Sequence, residues 1–301
     1  MLQARKALLS RQRLLLSLLD AVGGEASRTD FQKWLFLYTR EMQAEPSYEF
    51  VPYQFGCFSF TSNADRLKLV ELGLLDGASD AWRLTTEGRV QARQRAPDFG
   101  EFLARYGALS GRPLVAEVYR RYPWFAIRSQ IVGDVLADPA ERAAVEAARP
   151  APGTRGVVTI GYEGKNLEQY LNQLLRDGVT LLCDVRRNPL SRKYGFSRGT
   201  LKPACEKLGI RYEHLPELGI ASDKRRSLES QADYDALFAD YEAHDLPRQT
   251  AALERIANWV SREGQRVALT CFEREPHQCH RHCVAEALAA RHRDLPEPAH
   301  L

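Results

Sequence analysis

The residues with the most chemistry fall near the C-terminus. Cys271, Glu273, Cys279, His280 and Arg281 lie between the apolar run Val267-Ala268-Leu269-Thr270 and a helical pattern that continues to Arg291. This reads as a strand, a polar loop and a helix start, the place where open α/β folds put their chemistry. A helix N-terminus offers free N–H groups and the positive end of a dipole, which suit an anion. A thiol placed there beside cations becomes a better thiolate, so the pattern predicts a lowered pKa for Cys279. It points to anion binding or to a nucleophilic Cys271 or Cys279. A zinc reading of His277, Cys279, His280, His282 and Cys283 is tempting. However, structural zinc sites use separated ligand pairs, and adjacent Cys279 and His280 cannot easily point at one ion. We expect no metal and no other cofactor.

Three more polar groups each follow a strand-like run: Gly161-Tyr162-Glu163-Gly164, Asp184-Val185-Arg186 with Arg192, and His214-Leu215-Pro216-Glu217. In a parallel sheet the ends of such strands share one edge and face one crevice. Arg186, Arg192 and Arg281 are suited to clamp a phosphate or carboxylate. Tyr162, Glu163, Glu217 and His280 are further substrate contacts. Asp184 could orient Arg186 or, like His214 or Glu273, move a proton. Each residue alone also has a plain reading, as a helix cap, a surface arginine or a half-buried histidine. Four polar motifs on one edge are harder to explain by packing.

The elements that must position these groups alternate beyond residue 156. Strands are predicted at 157–160, 179–185, 210–214 and 267–271. Helices are predicted at 167–175, 200–208, 234–243, 249–262 and 279–291. Short strands rich in Val, Ile and Leu belong to a covered, mainly parallel sheet. The fold class expected is therefore α/β: a C-terminal three-layer domain over 151–301, plus a mainly α N-terminal domain.

Residues 1–95 read as that N-terminal domain. Leu8, Leu14, Leu15, Leu18, Leu19 and Val22 repeat on the helical period, and Gly23-Gly24 ends the pattern. A second helix runs from Asp30 to Arg40, and an aromatic loop follows over 48–60. A third helix spans Asn63 to Leu72, and a small hairpin turns at Asp76-Gly77 before Trp82. Three helices and a small hairpin are the order of a winged helix-turn-helix. Residues 96–150 read as a helical connector, with a Pro/Gly linker over 149–156.

The chain has 301 residues, 44% of them hydrophobic and 27% charged, which is the balance of a globular protein with room for two cores. A net charge of +3 is too mild to establish nucleic-acid binding. Six cysteines in a chain this long are not a disulfide framework, and Cys57, Cys183 and Cys205 are expected as buried small hydrophobes. No apolar run approaches the roughly 20 residues that span a bilayer. The basic N-terminus reads as an amphipathic helix rather than a signal peptide, so the expected location is cytoplasmic.

Two resemblances add to this. Gln32-Lys33-Trp34-Leu35-Phe36-Leu37, Tyr53-Gln54-Phe55-Gly56-Cys57-Phe58-Ser59 and Leu69 with Gly73-Leu74-Leu75 resemble the helical domain of SocA-type antitoxins. Cys57 stands where that family usually has Pro. More specifically, Thr159-Ile160-Gly161-Tyr162-Glu163-Gly164, Asp184-Val185-Arg186 with Pro189, Ser191 and Arg192, Gly195-Phe196-Ser197, Gly209-Ile210 with Tyr212, His214 and Pro216-Glu217-Leu218-Gly219, and Cys271 with Glu273 and Cys279-His280-Arg281 resemble the family called domain of unknown function 488. That resemblance covers about 157–291 and implies no particular activity. The strand-Asp-Val-Arg and strand-Cys-loop-helix segments are also similar to rhodanese folds. The rhodanese signature, a Cys followed by a tight five-residue loop, is absent after Cys271.

The expected function is that of a nucleic-acid-associated protein. Its α/β domain would bind, and process, a phosphorylated nucleotide or nucleic-acid substrate, and the N-terminal domain would contact DNA. One alternative is a non-enzymatic DNA-binding regulator or antitoxin-like sensor. A further alternative is thiol-dependent sulfur or redox chemistry. The expected partners are DNA and a phosphorylated small molecule, with no membrane.

Overall fold

The computed structural model describes residues 7–78, 80–221, 224 and 229–301. They form two compact units, Met1–Arg149 and Pro150–Leu301. No helix among them is long and apolar enough to cross a membrane.

The first unit is mainly helical. It contains α1 (Ser10–Ala21), β1 (Glu25–Ala26), α2 (Arg28–Glu41), β2 (Val51–Tyr53), β3 (Gly56–Phe58), α3 (Phe60–Glu71), β4 (Trp82–Arg83), α4 (Thr86–Ala92), α5 (Gly100–Tyr106), α6 (Gly111–Arg121), α7 (Val132–Val135) and α8 (Pro139–Ala147). Ser27 caps α2 and Ser59 caps α3 through their side-chain oxygens. β1 pairs antiparallel with β4, and Leu75 bridges Leu84. The segment read as an aromatic loop is a hairpin instead: β2 pairs with β3, and Gly56 supplies the positive φ the tight turn requires. The segment read as a connector contributes core to this unit. Phe99 and Phe102 pack on Tyr38, and Phe125 packs on Phe36.

The second unit is α/β. Its elements are β5 (Gly156–Gly161), α9 (Leu167–Arg176), β6 (Leu181–Asp184), α10 (Arg198–Lys207), β7 (Arg211–His214), α11 (Gln231–Asp240), α12 (Thr250–Ser261), β8 (Arg266–Cys271), α13 (Arg281–Arg291) and β9 (Ala299–His300). The five strands form one sheet in the order β7-β6-β8-β5-β9, and every pairing is parallel. Val157, Leu181, Cys183, Val267 and Leu269 pack with apolar residues of α12 and α13. On the opposite face Thr270 accepts a hydrogen bond of 2.8 Å from the Tyr170 hydroxyl of α9. Helices thus cover both faces, which explains why β5, β6 and β8 are apolar along almost their whole length. The edge strand β9 is two residues long and follows Pro296 and Pro298, so no strand pattern announces it in the sequence. Its His300 meets the Thr159 hydroxyl at 2.7 Å.

The strand order fixes where a crevice opens. From β6 the chain moves outward to β7, whereas from β8 it moves the other way, past β5, to β9. Adjacent strands whose connections diverge leave a gap beyond their carboxyl ends. The segment that follows β6 carries Arg186, and β8 itself ends on Cys271.

Candidate functional site: a cationic crevice at the strand ends

A crevice of about 490 Å³ lies at this divergence. Residues after β6 (Arg186, Arg187, Asn188, Arg192, Lys193) and residues at the end of β8 and just beyond it (Cys271, Phe272, Glu273) line it, together with Tyr162 and His280. Among the described lining residues Glu273 is the only carboxylate, against four Arg and Lys side chains.

The floor is a network centred on Arg186. Its Nε donates to Asp184 Oδ1 at 2.8 Å and its Nη2 to Asp184 Oδ2 at 2.5 Å. Nη1 donates to the Tyr162 hydroxyl and to the Phe196 carbonyl, both at 2.9 Å. The Tyr212 hydroxyl donates to Asp184 Oδ2 at 2.6 Å. Burial works against the Arg186 charge, but Asp184 and Tyr162 outweigh it and hold the guanidinium above its ordinary pKa. The Tyr162 ring stacks on Phe196 with centroids 4.3 Å apart, which fixes the hydroxyl that meets Arg186. Asp184 is therefore committed to orienting Arg186. It is fully buried and is not placed to move a proton in the crevice.

Other sequence-predicted residues are placed differently from the expectation. Arg281 does not reach an anion in the crevice. It is 0% exposed, and its guanidinium donates to the carbonyls of Glu273 (2.5 Å) and Arg274 (2.8 Å) and to the Thr159 hydroxyl (3.3 Å). Its role is to hold the loop after β8 against the sheet. Glu163 ties the same loop from the other side, accepting from the Arg274 N–H at 2.9 Å, and it does not line the crevice. His214 donates from Nε2 to the Arg186 carbonyl at 2.8 Å, bracing that backbone from behind. Glu217 sits half-buried in the short turn Pro216–Leu218 and is not among the lining residues.

The thiol expectation is corrected as well. Cys279 is fully buried, and burial, then the neighbouring Cys271 and Glu273, push its thiol well above the ordinary range rather than below it. Desolvation outweighs the helix N-terminus here. Cys271 is the thiol on the crevice lining. Its Sγ donates to Glu273 Oε2 at 3.3 Å and lies 3.7 Å from His280 Nδ1. His280 Nε2 lies 3.0 Å from the Val185 carbonyl. A carbonyl only accepts, so Nε2 carries the proton and Nδ1 turns toward the sulfur.

Arg187, Asn188 and Lys193 were missed by sequence reasoning. Arg187 and Arg192 are exposed, and neither makes an ion pair among the described residues. Lys193 donates to the Tyr162 carbonyl at 3.2 Å, and partial burial lowers its pKa. Arg187 directly follows Arg186, but only the strand end shows which of the two faces inward and which outward.

The fold and site define an open, parallel α/β domain with a cation-lined crevice at its topological switch point. More particularly, the family model described as "Domain of unknown function DUF488" matches residues 166–288, within the C-terminal unit. No curated protein and no solved structure matched the chain.

Proposed function

We propose that the C-terminal unit binds a phosphorylated ligand, a nucleotide or a nucleic-acid end, in the crevice between β6 and β8. The observation that carries this reading is the wall of Arg187, Arg192 and Lys193, opposed by a single carboxylate among the described lining residues. Among the described residues Arg187 and Arg192 have no carboxylate to answer them, so there a phosphate would gain charge-assisted hydrogen bonds without first breaking an ion pair. Arg186, its charge answered by Asp184, fixes the floor beneath them. Phe272, exposed and in edge-to-face contact with the buried Tyr162 ring at 5.3 Å, offers aromatic surface to the rest of the ligand. A calorimetric titration of the full chain with a nucleoside, its monophosphate and its triphosphate tests it. Affinity should rise along that series and fall roughly 10- to 100-fold in Arg192→Ala, the worth of one charge-assisted contact. Equal affinity for nucleoside and triphosphate would sink the reading.

In this reading the N-terminal unit brings the domain to nucleic acid. Three helices closed by the β1–β4 pairing and the Leu75–Leu84 bridge support a winged-helix role. One observation favours the antitoxin-like sensor of the alternative reading. Exposed positions on and just after α3 are Leu67, Lys68, Glu71 and Leu72, and the Lys68 ammonium is already paired with Glu71 at 2.6 Å. That face suits a protein partner better than a phosphate backbone. A gel shift over a salt series separates the two. DNA binding with a slope set by the phosphates neutralised supports the first, and no shift supports the second.

A further inference from the structure

We propose that Cys271, Cys279 and His280 hold a single thiophilic divalent cation, zinc by its chemistry, with the fourth coordination position open to the crevice. The sulfurs of Cys271 and Cys279 and a ring nitrogen of His280 all lie within 4.8 Å of one another, and all three residues are buried. A tetrahedral zinc with ordinary bond lengths places sulfur and nitrogen ligands about 3.6 Å apart. Cys271 Sγ and His280 Nδ1 are 3.7 Å apart. The site therefore needs little rearrangement to close on an ion.

Adjacent residues converge here because their backbones differ. Cys279 is extended (φ −142°, ψ 129°), and His280 is already helical (φ −55°, ψ −13°) as the residue before α13. The change of backbone between them turns both side chains toward Cys271, which the sequence spacing alone does not suggest. The histidine is also prepared as a ligand. Its Nε2 proton is fixed on the Val185 carbonyl, which turns Nδ1 toward the Cys271 sulfur, the outer-shell arrangement common to metal-bound histidines. Two thiolates balance a divalent charge, so the occupied centre adds no net charge to a buried site. Two sulfurs and one imidazole favour zinc over magnesium or calcium. Cys271 and His280 line the crevice, so an atom of a crevice ligand or a water can take the fourth position, beside the Glu273 carboxylate.

This inference does not rest on the phosphate reading, and its test contains no phosphate. Purified full-length protein, stripped with a chelator, is titrated with cobalt(II) and then with zinc. Cobalt should give the intense visible bands of a tetrahedral site and a thiolate charge-transfer band, and zinc should displace it with the loss of both. Cys279→Ser should weaken binding by at least roughly 100-fold, more than the loss of an outer-shell partner. Cys283→Ser, in the separate Glu242–His282–Cys283 cluster, should leave it unchanged. A second measurement on the unaltered chain needs no variant to fold: zinc should slow iodoacetamide labelling of Cys271 and Cys279. The proposal is overturned if cobalt gives no charge-transfer band, if the band follows Cys283 instead, or if Cys271 labels equally fast with and without zinc, which would mark it as a free nucleophilic thiol beside His280.

Discussion

Asp184 and Arg186, two residues apart at the end of β6, form a two-pronged ion pair that is almost wholly buried. Asp184 is 0% exposed and Arg186 is 6% exposed. The strand turns its last residue inward, and the guanidinium folds back onto that carboxylate. Arg186 thus becomes a fixed part of the crevice floor. Asp184→Asn leaves the guanidinium buried without its counter-charge, so the C-terminal unit should lose about 3–5 kcal/mol. Urea unfolding followed by circular dichroism measures this. A loss below about 1 kcal/mol would mean that the pair does not hold the floor.

Tyr212→Phe removes a single donor from the same carboxylate. The expected destabilisation is smaller, about 1.5–3 kcal/mol, the worth of a hydrogen bond to a charged group. Because Asp184 links both sites, the double variant with Asp184→Asn should lose less than the sum of the two single losses. Strict additivity in a double-mutant cycle would contradict the network.

Gly161 ends β5 where the loop after β8 comes closest. A Cβ there would overlap the Glu273 carbonyl oxygen, which is backbone and cannot swing aside. Gly161→Ala should therefore displace the loop carrying Glu273 and Arg274 and break the Arg281 contacts to it. Faster hydrogen exchange over 271–275, with slower exchange retained in β6, is the expected signature. Unchanged exchange in that loop would show that the close approach is not needed.

Lys33, in α2 of the N-terminal unit, is buried, and its ammonium donates to the Cys57 carbonyl at 3.1 Å. Burial lowers its pKa in the folded chain below the ordinary lysine value, near about 10.4. Between those two values the unfolded chain binds the more protons, so stability rises with pH through that window and falls as pH drops through the folded value. Three of the four tryptophans, Trp34, Trp82 and Trp124, lie in this unit, so tryptophan fluorescence reports mainly its unfolding. Lys33→Met should flatten the alkaline rise, and an unaltered slope would assign it to another group.

The α/β alternation and the clustering of polar motifs at strand ends were legible in the sequence, because strand composition and Gly punctuation carry them directly. Burial was not legible. Arg281 and Cys279 read as an anion ligand and an activated thiol because both stand beside a helix start. The structure buries both, and desolvation then decides their roles. The hairpin 51–58 was hidden by Pro52 and a run of aromatics. β9 is two residues long, too short to show a period. The outward-facing Arg187 was hidden by its inward-facing neighbour Arg186, since only strand geometry separates them.

Crystals of the full chain soaked with a nucleoside triphosphate test the central claim most directly. The expected result is phosphate density between Arg187, Arg192 and Lys193, in front of Arg186. Ordered ligand elsewhere on the molecule, with this wall left to water, would contradict it.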